Sequence, residues 1–217
     1  VQIILTAVEE PLANAWEEYC GDLPDVTIHR GSILDVPCDA VVSPANSFGF
    51  MDGGIDALYM HYFRHSSQTD IQAIVRRAVR ERHAGELVVG NATIVETGDT
   101  AIPYLFAAPT MRVPIDLPAD TVNPYLAARA VLLLAHQGTF PDGTHAGEPV
   151  ADHIRRIAFP GLGTGIGRVR PRVCAQQVRA AIVQVRAILD GTYRPPEFWV
   201  YAEAEHKMLY TERRKPT

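Results

Sequence analysis

Two short segments place chemically useful residues at useful spacings. The first, 160–167, reads Pro-Gly-Leu-Gly-Thr-Gly-Ile-Gly. Glycines at 161, 163, 165 and 167 let the backbone turn tightly and bring bare N–H groups up to an anion. A helix is expected a few residues later, and its N-terminal dipole adds to the pull on a phosphate. The segment is not a Walker A loop, because no Gly-Lys-Ser/Thr closes it. It also fails the strict dinucleotide pattern: counted from Gly161 the sixth position is Ile166, and from Gly163 it is Arg168. Taken alone, it reads equally well as a tight turn without a ligand. The second segment, 43–56, reads Ser-Pro-Ala-Asn-Ser-Phe-Gly-Phe-Met-Asp-Gly-Gly-Ile-Asp and leads from a strand end into a helix. Ligands of open α/β sheets bind beyond the carboxyl ends of strands. Two such loops on one sheet make a two-sided clamp for a diphosphate, and neither carries a lysine, so the grip would come from backbone amides.

The elements that must position these loops follow from periodicity and punctuation. Strands are expected at 2–8, Val26–Arg30, Ala40–Ser43, 87–96, 104–108, Arg156–Phe159 and 198–202. Helices are expected at 11–19, 55–63, 69–83, 123–136 and 171–190. Within 69–83, Ile71, Ile74, Val75, Ala78 and Val79 fall at helical spacing, and Gly85 is a natural stop. Asn123 is a candidate cap for its helix, with Pro124 suited to the first position. Strands alternate with helices, so the class is α/β with a mostly parallel central sheet. Segments 110–122 and 137–153 read as surface excursions, because strand or helix signals resume after each. One domain is expected over 1–217.

Composition sets the outer limits. The chain has 217 residues, 47% of them hydrophobic and 21% charged, with 20 basic against 25 acidic side chains and a formal charge of −5. That excludes global disorder and argues against a surface built mainly for nucleic acid, leaving room only for a local basic patch. No apolar run approaches the roughly 18 residues of a membrane span. Val1–Val8 is apolar but lacks a basic n-region and a small-residue cleavage pattern, so no signal peptide is expected. Cys20, Cys38 and Cys174 are an odd set without zinc spacing and read as inert reduced thiols of a cytoplasmic protein.

Four pieces in order resemble the macrodomain family, which binds ADP-ribose. Gly31-Ser32-Ile33 resembles the family's Gly-Asp-Ile turn. Asp39-Ala40-Val41-Val42-Ser43-Pro44-Ala45-Asn46 resembles its Asp-Ala-Ile-Val-Asn-Ala-Ala-Asn strand. Gly53-Gly54-Ile55-Asp56 resembles Gly-Gly-Val-Asp, and Gly163-Thr164-Gly165-Ile166 resembles the Ser-Thr-Gly-Ile phosphate loop. The resemblance implies a three-layer αβα fold with a mixed, mostly parallel sheet and an ADP-ribose or ADP-ribosylated ligand. It needs no metal and no cofactor, and nucleic acid would enter only as a modified substrate. It assigns the ligand contacts to Ser32, Ile33, Ala45, Gly53, Gly54, Ile55, Gly163, Thr164, Gly165, Ile166 and Gly167. Asn46 would touch the proximal ribose. Asp56 matches the carboxylate of the hydrolytic MacroD-like type, in which the Asp and a substrate phosphate position a water for attack at the ribosyl linkage. The implied function is an ADP-ribosyl hydrolase acting on a modified acceptor or an ADP-ribose ester; the alternatives are a non-catalytic binding module and a reused fold with a degenerate pocket.

That chemistry is consistent with elementary expectations. A carboxylate beside a diphosphate has its pKa raised by the negative field, and it can hold or deprotonate a water next to an electrophilic carbon. An Asn amide offers both a donor and an acceptor to ribose hydroxyls. This chain departs from the family pattern at three points. Ser32 stands where the adenine-reading Asp would be, with Asp35 the nearby substitute. Gly167 stands where an aromatic is usual, and Met51-Asp52 replaces the first glycines of the second loop. Tyr201, near the end of the expected last strand, is a candidate for adenine stacking. Phe48 and Phe50 read as ribose-packing or sheet-packing residues, and Arg112 as a phosphate contact or a solvated loop arginine. Arg168, Arg170 and Arg172 read mainly as a solvated basic edge able to steer an anionic ligand. His61 and His65 lie four apart on a helix but lack a third metal ligand at fixed spacing. Arg213-Arg214-Lys215 reads as a solvated tail.

Overall fold

The computed structural model describes residues 1–212, so the expected basic tail at 213–215 lies outside the described residues. The strands are β1 (Gln2–Ala7), β2 (Val26–Arg30), β3 (Ala40–Ser43), β4 (Thr93–Glu96), β5 (Tyr104–Ala107) and β6 (Arg156–Phe159). The helices are α1 (Glu10–Cys20), α2 (Gly54–Ser66), α3 (Ile71–Arg82), α4 (Asn123–Gln137), α5 (Val150–His153), α6 (Pro171–Leu189) and α7 (Trp199–Tyr210), with a short 3-10 turn at Ile33–Asp35. The strands form one sheet in the order β2-β1-β6-β3-β5-β4. All neighbours run parallel except β4, which is antiparallel to β5. The sheet is therefore mixed and mostly parallel, as the sequence implies.

Residue alternation along the strands feeds two cores. Ile3, Leu5, Val42, Phe106, Ile157 and Phe159 point to the face covered by α1, α4 and α6. Ile4, Val41, Leu105 and Ala158 point to the face covered by α2 and α3. A parallel sheet buried on both faces favours apolar residues at successive positions, which is why β3 reads Ala-Val-Val before Ser43, with all four buried. The fold is a three-layer αβα sandwich. Trp16 is fully buried on α1, and its indole N–H donates to the Thr6 carbonyl at 3.3 Å. Asp39 fixes the start of β3 beside β6: one carboxylate oxygen accepts from the N–H groups of Arg155 and Arg156, both at 2.8 Å.

Several expectations are corrected. The segment 198–202 is not a strand but the start of α7. Its aromatic and β-branched residues suit a strand, but Ala-Glu-Ala-Glu-His-Lys-Met-Leu continues it with helix formers, and Lys207 pairs with Glu203 one turn back at 2.6 Å. The strand expected at 87–96 shrinks to β4, because Gly90 adopts a positive φ and the Asn91 N–H closes a turn onto the Val88 carbonyl. Asn123 does not cap α4; its side-chain amide donates to the Thr110 carbonyl at 2.8 Å and ties the 110–122 excursion to the helix. The 137–153 excursion contains α5 and an antiparallel bridge, Thr139 to Pro149. Cys20, Cys38 and Cys174 are buried free thiols, and burial pushes Cys38 up to about 11 and Cys174 up to about 12. Among the described residues no helix is long and apolar enough to cross a membrane.

Candidate functional site

The carboxyl ends of β1, β3 and β6 open into a cleft of about 470 Å³, within the usual range for small-molecule sites. One wall is the turn after β3 and the first turn of α2. The other is the 160–167 loop after β6. Thirteen of the residues singled out from the sequence line it: Ser32, Ile33, Ala45, Asn46, Gly53, Gly54, Ile55, Asp56, Gly163, Thr164, Gly165, Ile166 and Gly167. The two glycine loops thus face each other across one space. At Gly53 an added Cβ would lie 3.0 Å from the tip of the Ile166 side chain, so the two walls approach each other closely there. Gly163 has φ +69°, and the Val169 N–H donates to its carbonyl at 3.0 Å, which folds the loop back on itself.

The anion-binding character comes from backbone. Gly54, Ile55 and Asp56 occupy the first turn of α2, where helical N–H groups have no partner within the helix. Their dipoles favour negative charge at that mouth. Across the cleft, the 110–122 excursion stiffens the second cradle: the Leu117 N–H donates to the Gly167 carbonyl at 3.0 Å.

Asp56 is the one buried carboxylate on this wall, 6% exposed. The Ser43 hydroxyl donates to its Oδ1 at 2.5 Å. Burial pushes the Asp56 carboxyl up to about 7, and the Ser43 hydrogen bond opposes the rise. It therefore exchanges its proton near neutrality. Ser43 is a site residue that sequence reading passed over, because a strand-end serine carries no signal until the fold puts it beside a helix.

Asn46 has a narrower place than expected. Its Oδ1 accepts from the N–H groups of Phe48 and Phe50 at 3.1 and 3.3 Å, and its Nδ2 donates to the Phe50 carbonyl at 2.8 Å. One amide N–H remains for a ligand. Much of its work is to hold the turn after β3.

Other expectations are corrected by position. Tyr201 lies on α7, 59% exposed and packed edge-on against Phe198, away from the cleft. Asp35 is exposed and stands outside the cleft lining. Arg112 grips Glu86 at 2.6 and 3.1 Å and lies over the Phe48 ring, so its charge is already paired. The three arginines after the glycine loop pair likewise: Arg168 with Asp116, Arg170 with Glu212, and Arg172 with Glu18. They form ion pairs rather than a free basic edge. The His65 Nδ1–H donates to the His61 carbonyl, 2.8 Å away, which is an ordinary helix-surface contact. Phe50 does line the cleft, 43% exposed, with the Arg76 guanidinium 4.4 Å above its ring. Glu9 also lines it and was not anticipated. The Gly31 N–H donates to the Ala7 carbonyl at 2.9 Å, so the residues following β1 stand beside Gly31 and Ser32.

A two-sided amide cradle at the carboxyl edge of an αβα sheet suits an anionic group, and comparison with known proteins gives the family. The Macro domain family model matches residues 42–178. The chain belongs to the macrodomain family. An uncharacterized protein of Aquifex aeolicus is 30% identical over 162 residues, covering 75% of this chain and 81% of its own length. A macro domain-containing protein in the gbd 3' region of Cupriavidus necator is 27% identical, covering 85% of this chain and 94% of its own. Among solved structures, the macrodomain of Mycobacterium tuberculosis DarG superposes with TM-score 0.54 at 18% identity, covering 71% of this chain and 88% of its own. A mutant Oceanobacillus iheyensis macrodomain, solved with ADPR, superposes with TM-score 0.53 at 16% identity, covering 71% and 74%. At those identities the structural likeness speaks for the fold.

Proposed function

We propose that the cleft binds ADP-ribose and that the protein hydrolyses the bond between ADP-ribose and an acceptor. The observation that carries this reading is Asp56. It is a buried carboxylate at about pKa 7, fixed by Ser43, on the wall between two amide cradles. The cradles hold the diphosphate. The proximal ribose then lies toward Asn46 and Asp56, with the remaining Asn46 N–H oriented to a ribose hydroxyl. Asp56 accepts a proton from a water as that water attacks the anomeric carbon. The carbon–acceptor bond breaks and the acceptor leaves with its electron pair. A bound diphosphate adds negative field and raises Asp56 further, which favours holding the water over permanent ionisation.

The test pairs calorimetry with release assays on Glu/Asp-, Arg-, Ser- and nucleobase-linked ADP-ribose. Asp56→Asn keeps the volume and is expected to retain ADP-ribose affinity within about threefold while release falls by about 10²-fold or more, the size of a lost general base. A wild type that binds ADP-ribose but releases none from these substrates supports a second reading, a binding module. That reading has its own observation: most of the Asn46 amide is spent on its own turn. No binding at millimolar ADP-ribose removes both.

A further inference from the structure

The excursion between α4 and β6 assembles three metal-ligating side chains far from the cleft. Its backbone is closed by hydrogen bonds: the Phe140 N–H donates to the Glu148 carbonyl, the Gly147 N–H to the Phe140 carbonyl, and the Glu148 N–H to the His145 carbonyl, at 2.8–2.9 Å. The Val150 N–H returns to the Gly138 carbonyl at 2.9 Å, and α5 then brings His153 back over the same turn, anchored by fully buried Val150 and Ile154. The imidazoles of His145 and His153 stack with centroids 3.7 Å apart. Buried Phe140 forms their floor at 5.8 and 5.6 Å.

All three donor atoms, His145 Nδ1, His153 Nε2 and Glu148 Oε2, lie within 4.8 Å of one another. His153 Nε2 stands 2.5 Å from Glu148 Oε2, a hydrogen bond. His145 Nδ1 is aimed at the same oxygen from 3.4 Å. That separation is close to the edge of a zinc tetrahedron, about 3.3 Å for ligand bonds near 2.0–2.1 Å. Two stacked rings turned toward one carboxylate oxygen bring two nitrogens and an oxygen together. Two nearby carboxylates are committed elsewhere. Glu96 accepts from the Thr144 N–H at 2.7 Å, and Asp142 pairs with Arg82 at 2.5 Å.

We propose that His145, Glu148 and His153 bind a divalent transition-metal ion, zinc by donor type, with water completing the tetrahedron. The site lies before β6 whereas the 160–167 loop lies after it, so the ion sits at the opposite edge of the sheet from the cleft. It takes no part in the ADP-ribose chemistry. Its work is to fasten the turn that carries His145 and Glu148 to α5, which carries His153, much as a covalent staple would.

The experiment uses the full chain stripped with a chelator and dialysed into a non-coordinating buffer. Titration with zinc chloride by calorimetry is expected to saturate at one ion per chain. Cobalt(II) is expected to give the visible absorption of a four-coordinate ion, and zinc to raise the melting temperature of the stripped chain. His145→Ala with His153→Ala should lower zinc affinity by at least 100-fold and abolish the melting shift. The melting temperature of that stripped double variant, compared with the stripped wild type, checks that it folds. Glu148→Gln, which keeps the volume, should weaken zinc by at least tenfold. The proposal is overturned if the wild type shows no saturable zinc binding, if the double variant binds zinc as tightly, or if binding is lost instead with His61→Ala and His65→Ala. ADP-ribose affinity measured with and without zinc should be unchanged; a large change overturns the separation of the two sites.

Discussion

At the scale of single residues, the Ser43–Asp56 pair contributes a pH dependence of definite sign. Asp56 titrates at about 7 in the folded chain and at its ordinary 3.8 when unfolded. Between those values the folded state holds a proton that the unfolded state has lost. The resulting stabilisation is full below about pH 4 and disappears as pH rises through about 7, with a ceiling of ~4 kcal/mol. Asp56→Asn removes that slope, so denaturant titrations should show the variant gaining on wild type as pH climbs from 5 to 8.5. A constant difference across that range would contradict the assigned burial. The proposed hydrolysis would have the opposite sign, since a general base works ionised, and is expected to rise through about pH 7. Ser43→Ala removes the hydrogen bond that favours the ionised form, so the acidic limb of the pH–rate profile should move to higher pH.

Glu9 belongs to the same scale. The Ser32 hydroxyl accepts from the Leu34 N–H at 3.2 Å, as the cap of the short 3-10 turn. Glu9 lines the same cleft as Ser32, and under the proposed function its carboxylate is the candidate acceptor for a purine 6-amino group. Glu9→Ala is expected to weaken ADP-ribose by roughly tenfold, the value of about one charge-assisted hydrogen bond, and to leave hypoxanthine-bearing IDP-ribose unaffected. Equal losses for both ligands would remove Glu9 from the base-reading role.

At the scale of elements, the 160–167 loop works because its backbone takes a path that side chains resist. Gly163 sits at φ +69°, and an added Cβ would lie 3.1 Å from Val169 and 3.3 Å from Leu117. Gly163→Ala should therefore cost about 1–2 kcal/mol of stability and lower ADP-ribose affinity, read by thermal melting and calorimetry. The helix α2 makes the complementary contribution: its first turn supplies both unpartnered amides and the Asp56 carboxylate. A loop could supply the amides, but only a packed helix holds the carboxylate 2.5 Å from the end of β3.

At the scale of the whole molecule, the sheet separates its two edges. The cleft occupies the carboxyl ends of β1, β3 and β6, and the His-Glu-His cluster the amino ends of β5 and β6. Outside both lies α7, which has no buried residue and packs on α6. Gln176 on α6 binds its C-terminal carbonyls, with Nε2 donating to Met208 and Thr211 at 2.6 and 2.9 Å. A chain ending at Pro196 should melt only about 2–6 °C lower, the shift of one or two kcal/mol at this size, and bind ADP-ribose within about threefold of the full chain. A collapse of binding would show that α7 supports the cleft.

Much of this was legible in the residues. The α/β class, the mostly parallel sheet and both glycine loops follow from alternation, punctuation and local spacing, which are properties of neighbouring positions; Asp56 came from the resemblance to the macrodomain family. The misreadings have a common cause. The segment 198–202 has strand-type residues, but only docking against α6 or pairing with a sheet edge decides between helix and strand, and both partners are distant in sequence. The roles of Arg112, Arg168, Arg170 and Arg172 failed for the same reason, since their carboxylate partners lie elsewhere in the chain. By itself the sequence determined where the backbone could turn without side chains, and so where an anion could be cradled. The tertiary structure alone decided what those cradles face and how Asp56 is tuned, because burial, a 13-residue-distant hydroxyl and the approach of two loops exist only once the sheet has formed.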